Sequence, residues 1–159
     1  GARFRRGVTD GAGGVCQAGA ATARGARPTD ADLDRARAVF SASGTVVEVR
    51  EEQIDAVTAL AGSGPAFVYT VIEALAAGGA KCGLPAEVSL GLATQTVRGA
   101  AQLALESQLS PEELRRMVIT PGGPTAAGLQ VVEAHDRPGG SRAAGVAAAA
   151  PAKGLGPAW

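Results

Sequence analysis

The chain has 159 residues, enough for one domain with its own core or for a piece of a longer protein. Fifteen Lys and Arg balance fifteen Asp and Glu, which removes any general pull toward nucleic acid or an anionic membrane and leaves binding to local sites. Hydrophobic residues make up 46% and aromatics only 3%, so the core has to come from Ala, Val and Leu, small side chains that pack helices closely and whose extended apolar faces favour oligomers.

The first residues, Gly1-Ala2-Arg3-Phe4-Arg5-Arg6, are basic with no apolar run behind them and no initiator Met, so the expectation is a chain that has lost its amino-terminal part and carries no secretory signal. Residues 1–18 show no period and read as loop. Gly19–Arg24 is a candidate strand. Thr29-Asp30-Ala31-Asp32 combines an N-cap with an early acid, and Leu33, Ala36, Val39 and Phe40 share one face, which predicts an amphipathic helix over 30–42. Thr45–Val49 is β-branched and predicts a short strand. Helix followed by strand is how a βα-type domain ends.

After Val49 the pattern turns helical. Glu51–Leu60 predicts a short helix that runs into a Gly62-Ser63-Gly64-Pro65 turn. The next helix, from Pro65 to about Gly78, has Phe67, Val71, Ala74 and Leu75 as its expected buried stripe. Gly83-Leu84-Pro85 is a stop and a new start, and a long helix over 85–106 carries Val88, Leu92, Thr96, Ala100 and Leu103. Ser110-Pro111-Glu112-Glu113 places an N-cap Ser, Pro at the first helical position and Glu at the third, the signature of a short helix to about Val118. A glycine turn, Thr120-Pro121-Gly122-Gly123-Pro124-Thr125, leads into a helix to about Ala134. Beyond His135 the Ala-rich run is cut by Pro151 and Pro157 and reads as a frayed helix or disorder.

Glu73, Lys81 and Glu87 interrupt the richest apolar region, so no membrane span of roughly 20 residues is expected. Cys16 and Cys82 have no metal-ligand spacing and read as free thiols in a reducing cytosol, which gives a cytoplasmic expectation. With a single histidine, His135, in a polar turn and no clustered acids, no metal site is expected. Gly62-Ser63-Gly64 lacks the preceding strand and the His partner of a nucleophile elbow. Gly11-Ala12-Gly13-Gly14 lacks the strand and helix of a dinucleotide loop. What remains is the Thr120–Thr125 turn. Free amides at a helix start, with the positive end of its dipole, bind a carboxylate or phosphate, and the hydroxyls of Thr120 and Thr125 add donors; the same residues also read as a plain helix start with Pro124 at its first position.

Ile54-Asp55-Ala56-Val57-Thr58-Ala59-Leu60-Ala61-Gly62-Ser63-Gly64-Pro65-Ala66, with Glu73-Ala74-Leu75-Ala76, resembles the opening of the carboxy-terminal domain of pyrroline-5-carboxylate reductases. Gly83-Leu84-Pro85, Gln95-Thr96, Gly99-Ala100-Ala101, Pro111 with Leu114-Arg115, and Pro121-Gly122-Gly123 ahead of Thr125 extend the resemblance in order from about Gly19 to Glu133. The resemblance implies a mainly α chain. Its residues 50–159 would form an interleaved helical dimerisation and substrate domain of the 6-phosphogluconate dehydrogenase C-terminal-like type, and 1–49 a short α/β remnant of a Rossmann domain. It also implies an oxidoreductase of proline biosynthesis that reduces 1-pyrroline-5-carboxylate to L-proline with NADPH or NADH, as a homodimer or decamer, without nucleic acid or membrane. Carried over by motif, Thr120, Gly122, Gly123 and Pro124 would hold the substrate carboxylate, Thr125 would act catalytically as proton donor or orienter at the ring nitrogen, and Ser63 would touch substrate. Gly64 and Pro65 would meet the nicotinamide end of the cofactor.

Five departures accompany the match. The glycine-rich cofactor loop is absent, Thr9-Asp10-Gly11 stands where the family shows Met-Pro-Asn, Ile119 replaces a small or hydroxyl residue, Pro124 replaces a residue whose amide can reach the carboxylate, and the tail after His135 departs from the family's long final helix. They imply a chain inactive on its own. The alternatives are a non-catalytic oligomerisation module and another hydroxyacid or imine dehydrogenase of the same architecture.

Overall fold

The computed structural model describes residues 4–9, 18–24, 34, 38–39, 41–42, 44–135 and 140–152. The helix expected over 30–42 lies mostly outside these residues, and Cys16 and Gly11–Gly14 lie wholly outside them. The chain forms two compact units, Gly1–Phe67 with Ser141–Trp159, and Val68–Gly140.

The first unit is built on a three-stranded sheet in the order β1-β2-β3, with β1 at Phe4–Thr9, β2 at Ala18–Arg24 and β3 at Gly44–Val49. β1 corrects the loop expected over 1–18. It runs antiparallel to β2, from Phe4 opposite Arg24 to Thr9 opposite Ala20, and the ladder to a neighbour supplies what its Arg-rich composition hides. β2 and β3 are parallel, Ala18 opposite Gly44 through Ala23 opposite Val49. Ala20, Ala21 and Thr22 are all buried. Successive strand residues point to opposite faces, so both faces of β2 are covered and only small side chains fit there.

After β3 the chain makes a 3-10 turn at Glu51–Gln53, one α-turn at Ile54–Val57 (α1) and a π-helical turn at Thr58–Gly62. α1 lies against β1 and β2 and the π turn against β1, burying Ile54 to 1% and Ala59 to 3%. The segment from Gly62 to Pro65, expected as a turn between separate helices, instead interrupts the helical path at Ser63 alone, and α2 starts at once, Gly64–Lys81. The run Glu51–Lys81 is thereby long and apolar enough to cross a membrane on length and composition, with a mean hydropathy of 1.3 in its best window. Of the three charges expected to interrupt it, Lys81 is its last residue, Glu87 lies beyond it and only Glu73 falls within.

α2 ends three residues later than expected, through a Schellman motif. Gly83 adopts φ +100, its amide donates to Ala80 O at 3.1 Å, and the Leu84 amide donates to Gly79 O at 3.2 Å. Pro85 is the N-cap of α3, Ala86–Glu106, rather than its first residue. The α2–α3 hairpin closes at one point: Ser89 Oγ donates to Ala76 O at 2.6 Å, and a Cβ on Gly79 would collide with that same Oγ. α4, Pro111–Met117, begins in the expected capping box. Ser110 N donates to Glu113 Oε2 at 2.7 Å, and Glu113 N donates to Ser110 Oγ at 3.3 Å. The Ser110 hydroxyl, which also donates to Glu113 Oε2 at 2.7 Å, and after it the Ser110 amide hold the Glu113 carboxyl below its ordinary range. α5 spans Pro124–His135, and Arg115 of α4 reaches Glu133 of α5 at 3.9 Å. His135 is the last residue of α5, not part of a turn; its Nδ1 donates to Val131 O at 2.8 Å. The tail forms α6, Gly140–Ala152. Alanine is the strongest helix former, and Pro151 falls in the last two residues of α6 rather than in its interior.

The expected buried stripes are not buried within the chain. Phe67 is 40% exposed, Val71 52%, Leu75 48%, Val88 48%, Leu92 56% and Leu103 53%. Among the described residues of the second unit only Ser89 and Ala93 are buried. The helical periodicity is as expected, but the described residues of the chain do not cover it.

Candidate functional site

Two short stretches carry the residues singled out above, one in each unit. In the first, the π turn delivers Ser63. Its amide donates to Thr58 O at 3.0 Å, five residues back, and its own carbonyl accepts the Ala66 amide at 3.1 Å. Ser63, Gly64 and Pro65 are half-buried. Nothing stands within 4 Å of where a Cβ on Gly64 would be, so the backbone there is open to close approach by a flat ring. Pro65 is the second residue of α2, where the amide it lacks would have had no helical acceptor.

In the second unit, Thr120–Gly123 forms a β-turn. Pro121 and Gly122 are its central residues, Gly122 has φ +70, and the Gly123 amide donates to Thr120 O at 2.9 Å. Proline followed by a glycine of positive φ is what a type II turn requires. Gly123 is confined as well, because a Cβ there would sit 2.6 Å from Thr120 Oγ1 and 3.0 Å from Thr120 O. The Gly123 carbonyl accepts the first bond of α5, from Ala127 N at 3.3 Å. Gly123 is therefore the N-cap and has no side chain with which to cap. Pro124 occupies the first helical position and has no amide. The amides of Thr125 and Ala126, at the second and third positions, have no acceptor within the helix. Among the described residues the hydroxyls of Ser63, Thr120 and Thr125 have no hydrogen-bond partner. Thr120 and Pro124 are exposed, whereas Gly123, Thr125 and Ala126 are half-buried.

The arrangement can offer an anion two backbone amides and two hydroxyls at the positive end of a helix of 12 residues. The Ala126 amide was not foreseen from sequence. Its signal was the Gly-Pro pair at 123–124, which removes both the capping side chain and the first amide and so moves the donors one residue along. Among the described residues no group of His, Cys, Asp and Glu could hold a metal ion, and Cys82 is a free, exposed thiol.

A family model described as pyrroline-5-carboxylate reductase dimerisation matches residues 51–155. The pyrroline-5-carboxylate reductase of Methanosarcina acetivorans is 47% identical over 119 residues, covering 75% of this chain and 44% of the relative. That of Glycine max is 40% identical over 131 residues, covering 82% and 48%. The chain thus spans less than half the length of these curated relatives. Among solved structures, a pyrroline-5-carboxylate reductase from Coxiella burnetii superposes with a TM-score of 0.89 at 32% identity, over 94% of this chain and 56% of that one. The pyrroline carboxylate reductase of Plasmodium falciparum with NADP bound superposes with a TM-score of 0.87 at 28% identity, over 93% and 60%. With two thirds of its length matched by the family model and its fold shared with these enzymes, the chain belongs to the pyrroline-5-carboxylate reductase dimerisation family.

Proposed function

We propose that this chain is the dimer-forming, substrate-holding part of a reductase that converts 1-pyrroline-5-carboxylate to L-proline with NADPH or NADH. The observation that carries the reading is the Thr120–Thr125 turn, whose glycines are each required by backbone or space and whose helix start leaves two amides and two hydroxyls without a partner among the described residues. The substrate carboxylate lies on the amides of Thr125 and Ala126 and accepts from Thr120 Oγ1. Thr125 Oγ1 hydrogen-bonds the ring nitrogen and orients it for protonation. Ser63 contacts the substrate, and the open backbone of Gly64 and Pro65 meets the nicotinamide. The bound dinucleotide supplies the hydride that goes to the imine carbon. The residues of this chain fix the acid, position the nitrogen and carry no redox chemistry of their own.

Titration of the purified chain with L-proline, followed by amide NMR, tests this. Binding with shifts at Gly123, Thr125 and Ala126 is the expected result, weakened about tenfold in Thr125→Val by loss of one hydrogen bond to a charged or polar ligand. Pro124→Thr restores an amide and should tighten binding. Shifts elsewhere, or none, would sink the carboxylate reading and leave a plain helix start. The chain alone is expected to show no measurable NADPH affinity by calorimetry, because Gly64 and Pro65 reach only the nicotinamide end.

A second reading, an oligomerisation module that joins intact subunits, is favoured by the exposure of apolar side chains on α2, α3 and α5. A lipid surface would account for Glu51–Lys81 alone. Val131 and Val132 on α5 are as exposed, at 59% and 57%, on a helix of 12 residues, too short to span, so a protein partner explains all three helices together. Mixing with a full-length reductase separates the readings: mixed oligomers without a rise in proline formation support the module, and a rise supports the reductase.

A further inference from the structure

We infer that Thr58 is a positioning residue, whose side-chain hydroxyl stabilises the π turn that sets the orientation of Ser63. The inference rests on the proposed role of Ser63 beside the substrate. Thr58 sits at both ends of the device. Its Oγ1 donates to Ile54 O at 2.9 Å, and its carbonyl accepts the Ser63 amide at 3.0 Å, a five-residue spacing in place of the α-helical four. Ile54 O also takes the Thr58 amide, which it shares with Asp55 O. A carbonyl that accepts a back-bonding hydroxyl is drawn away from the helix axis, which loosens and bends the helix there, and a π turn is the looser winding. The Ile54 end cannot move in response, since that residue is 1% exposed and its turn lies against β1 and β2. The distortion therefore passes forward, toward Ser63.

The π turn holds one more residue than an α-turn. Were Thr58–Gly62 to wind as α-helix, Ser63 would bond Ala59 O and its side chain would rotate by about 100° around the axis, one residue's step at 3.6 residues per turn. Single π turns inside helices recur at functional sites for this reason. The methyl of Thr58 lies toward Gly62, 3.6 Å from where a Cβ on that residue would be.

Thr58→Val keeps the β-branched shape and removes the hydroxyl; Thr58→Ser keeps the hydroxyl and removes the methyl. The test uses the whole chain, with Ser63 amide exchange and chemical shift as one reading and L-proline affinity as the other. Thr58→Val should raise the Ser63 amide exchange rate about 3- to 10-fold, as loss of one net hydrogen bond implies, and weaken L-proline by a similar factor. It should leave sedimentation and the exchange of β2 amides unchanged. Thr58→Ser should restore both readings. An unchanged Ser63 amide in Thr58→Val, or a Thr58→Ser variant that behaves like Thr58→Val, would overturn the inference. Altered Ser63 exchange with unaltered L-proline affinity would show that Thr58 shapes the turn but that Ser63 does not serve the substrate, which contradicts the role assigned to Ser63 and not the geometry.

Discussion

The sheet-bearing unit and the helical unit solve the same packing problem differently. In the first, β2 places Ala20, Ala21 and Thr22 at no more than 3% exposure and α1 closes over the sheet with Ile54. In the second, three helices present Val71, Leu75, Val88, Leu92, Val131 and Val132 at roughly half exposure, and only Ser89 and Ala93 are buried among the described residues. A monomer seldom leaves contiguous apolar surface on this scale without a binding role. Among the described residues, the first unit covers its central strand from within, whereas the second leaves the apolar faces of its helices open. The name of the family to which residues 51–155 belong, a dimerisation domain, agrees with that.

The comparison breaks most sharply at its two most unlike residues. Ile54→Ala removes the largest fully buried side chain among the described residues and should cost about 2–5 kcal/mol of stability in chemical denaturation, through lost transfer energy and the cavity left behind. Its oligomeric state should not change. Leu92→Glu, at a position 56% exposed in the single chain, should do the reverse. It should weaken self-association by about 2 kcal/mol or more, roughly 30-fold, by burying a charge at the interface, while barely altering the fold of a dissociated chain.

The internal seam of the helical unit is a smaller test. Gly79→Ala sets a Cβ against Ser89 Oγ, which is held to Ala76 O. Overpacking at such a point costs about 1–3 kcal/mol. Ser89→Ala on top of it should recover part of the loss, so a double-mutant cycle should show coupling of about 0.5 kcal/mol or more, and additivity would mean that the two helices do not meet there.

The smallest effect is at the α4 capping box. Glu113 has its carboxyl held below the ordinary glutamate range by the Ser110 hydroxyl first and the Ser110 amide second. A group whose folded pKa is lowered stabilises above its unfolded value and loses that contribution as pH falls through the folded one. Amide exchange at the start of α4 should therefore quicken, relative to the intrinsic rate, as pH falls below the ordinary glutamate range, and Ser110→Ala, which keeps only the amide, should reduce this pH dependence. A pH-independent ratio would show that the box does not form.

Much of this was legible in the residues. Ser110, Pro111 and Glu113 specify a helix start by local chemistry, and the structure forms it as read. Gly83 ends α2 because only glycine takes φ +100 without strain. Helix periods of 3.6 were correctly read on α2 and α3, yet periodicity says which face is apolar and not whether the same chain covers it. β1 was missed since Phe4–Thr9 becomes a strand through its ladder to β2, a long-range partner that a local reading of arginines does not contain. The π turn was hidden for a related reason. Thr58 is an ordinary helix residue until its hydroxyl is seen on Ile54 O. In the turn at 120–125, glycines and prolines showed where the chain must bend, while the shift of donors onto Thr125 and Ala126 became plain only once α5 was seen to start at Pro124.

The most direct test of two unequal units is sedimentation velocity of the purified chain, wild type beside Leu92→Glu. The wild type should sediment as a dimer or a multiple of it, and the variant as a folded monomer. A wild-type chain that sediments as a monomer at micromolar concentration, with α2 and α3 amides as protected as those of β2, would contradict this.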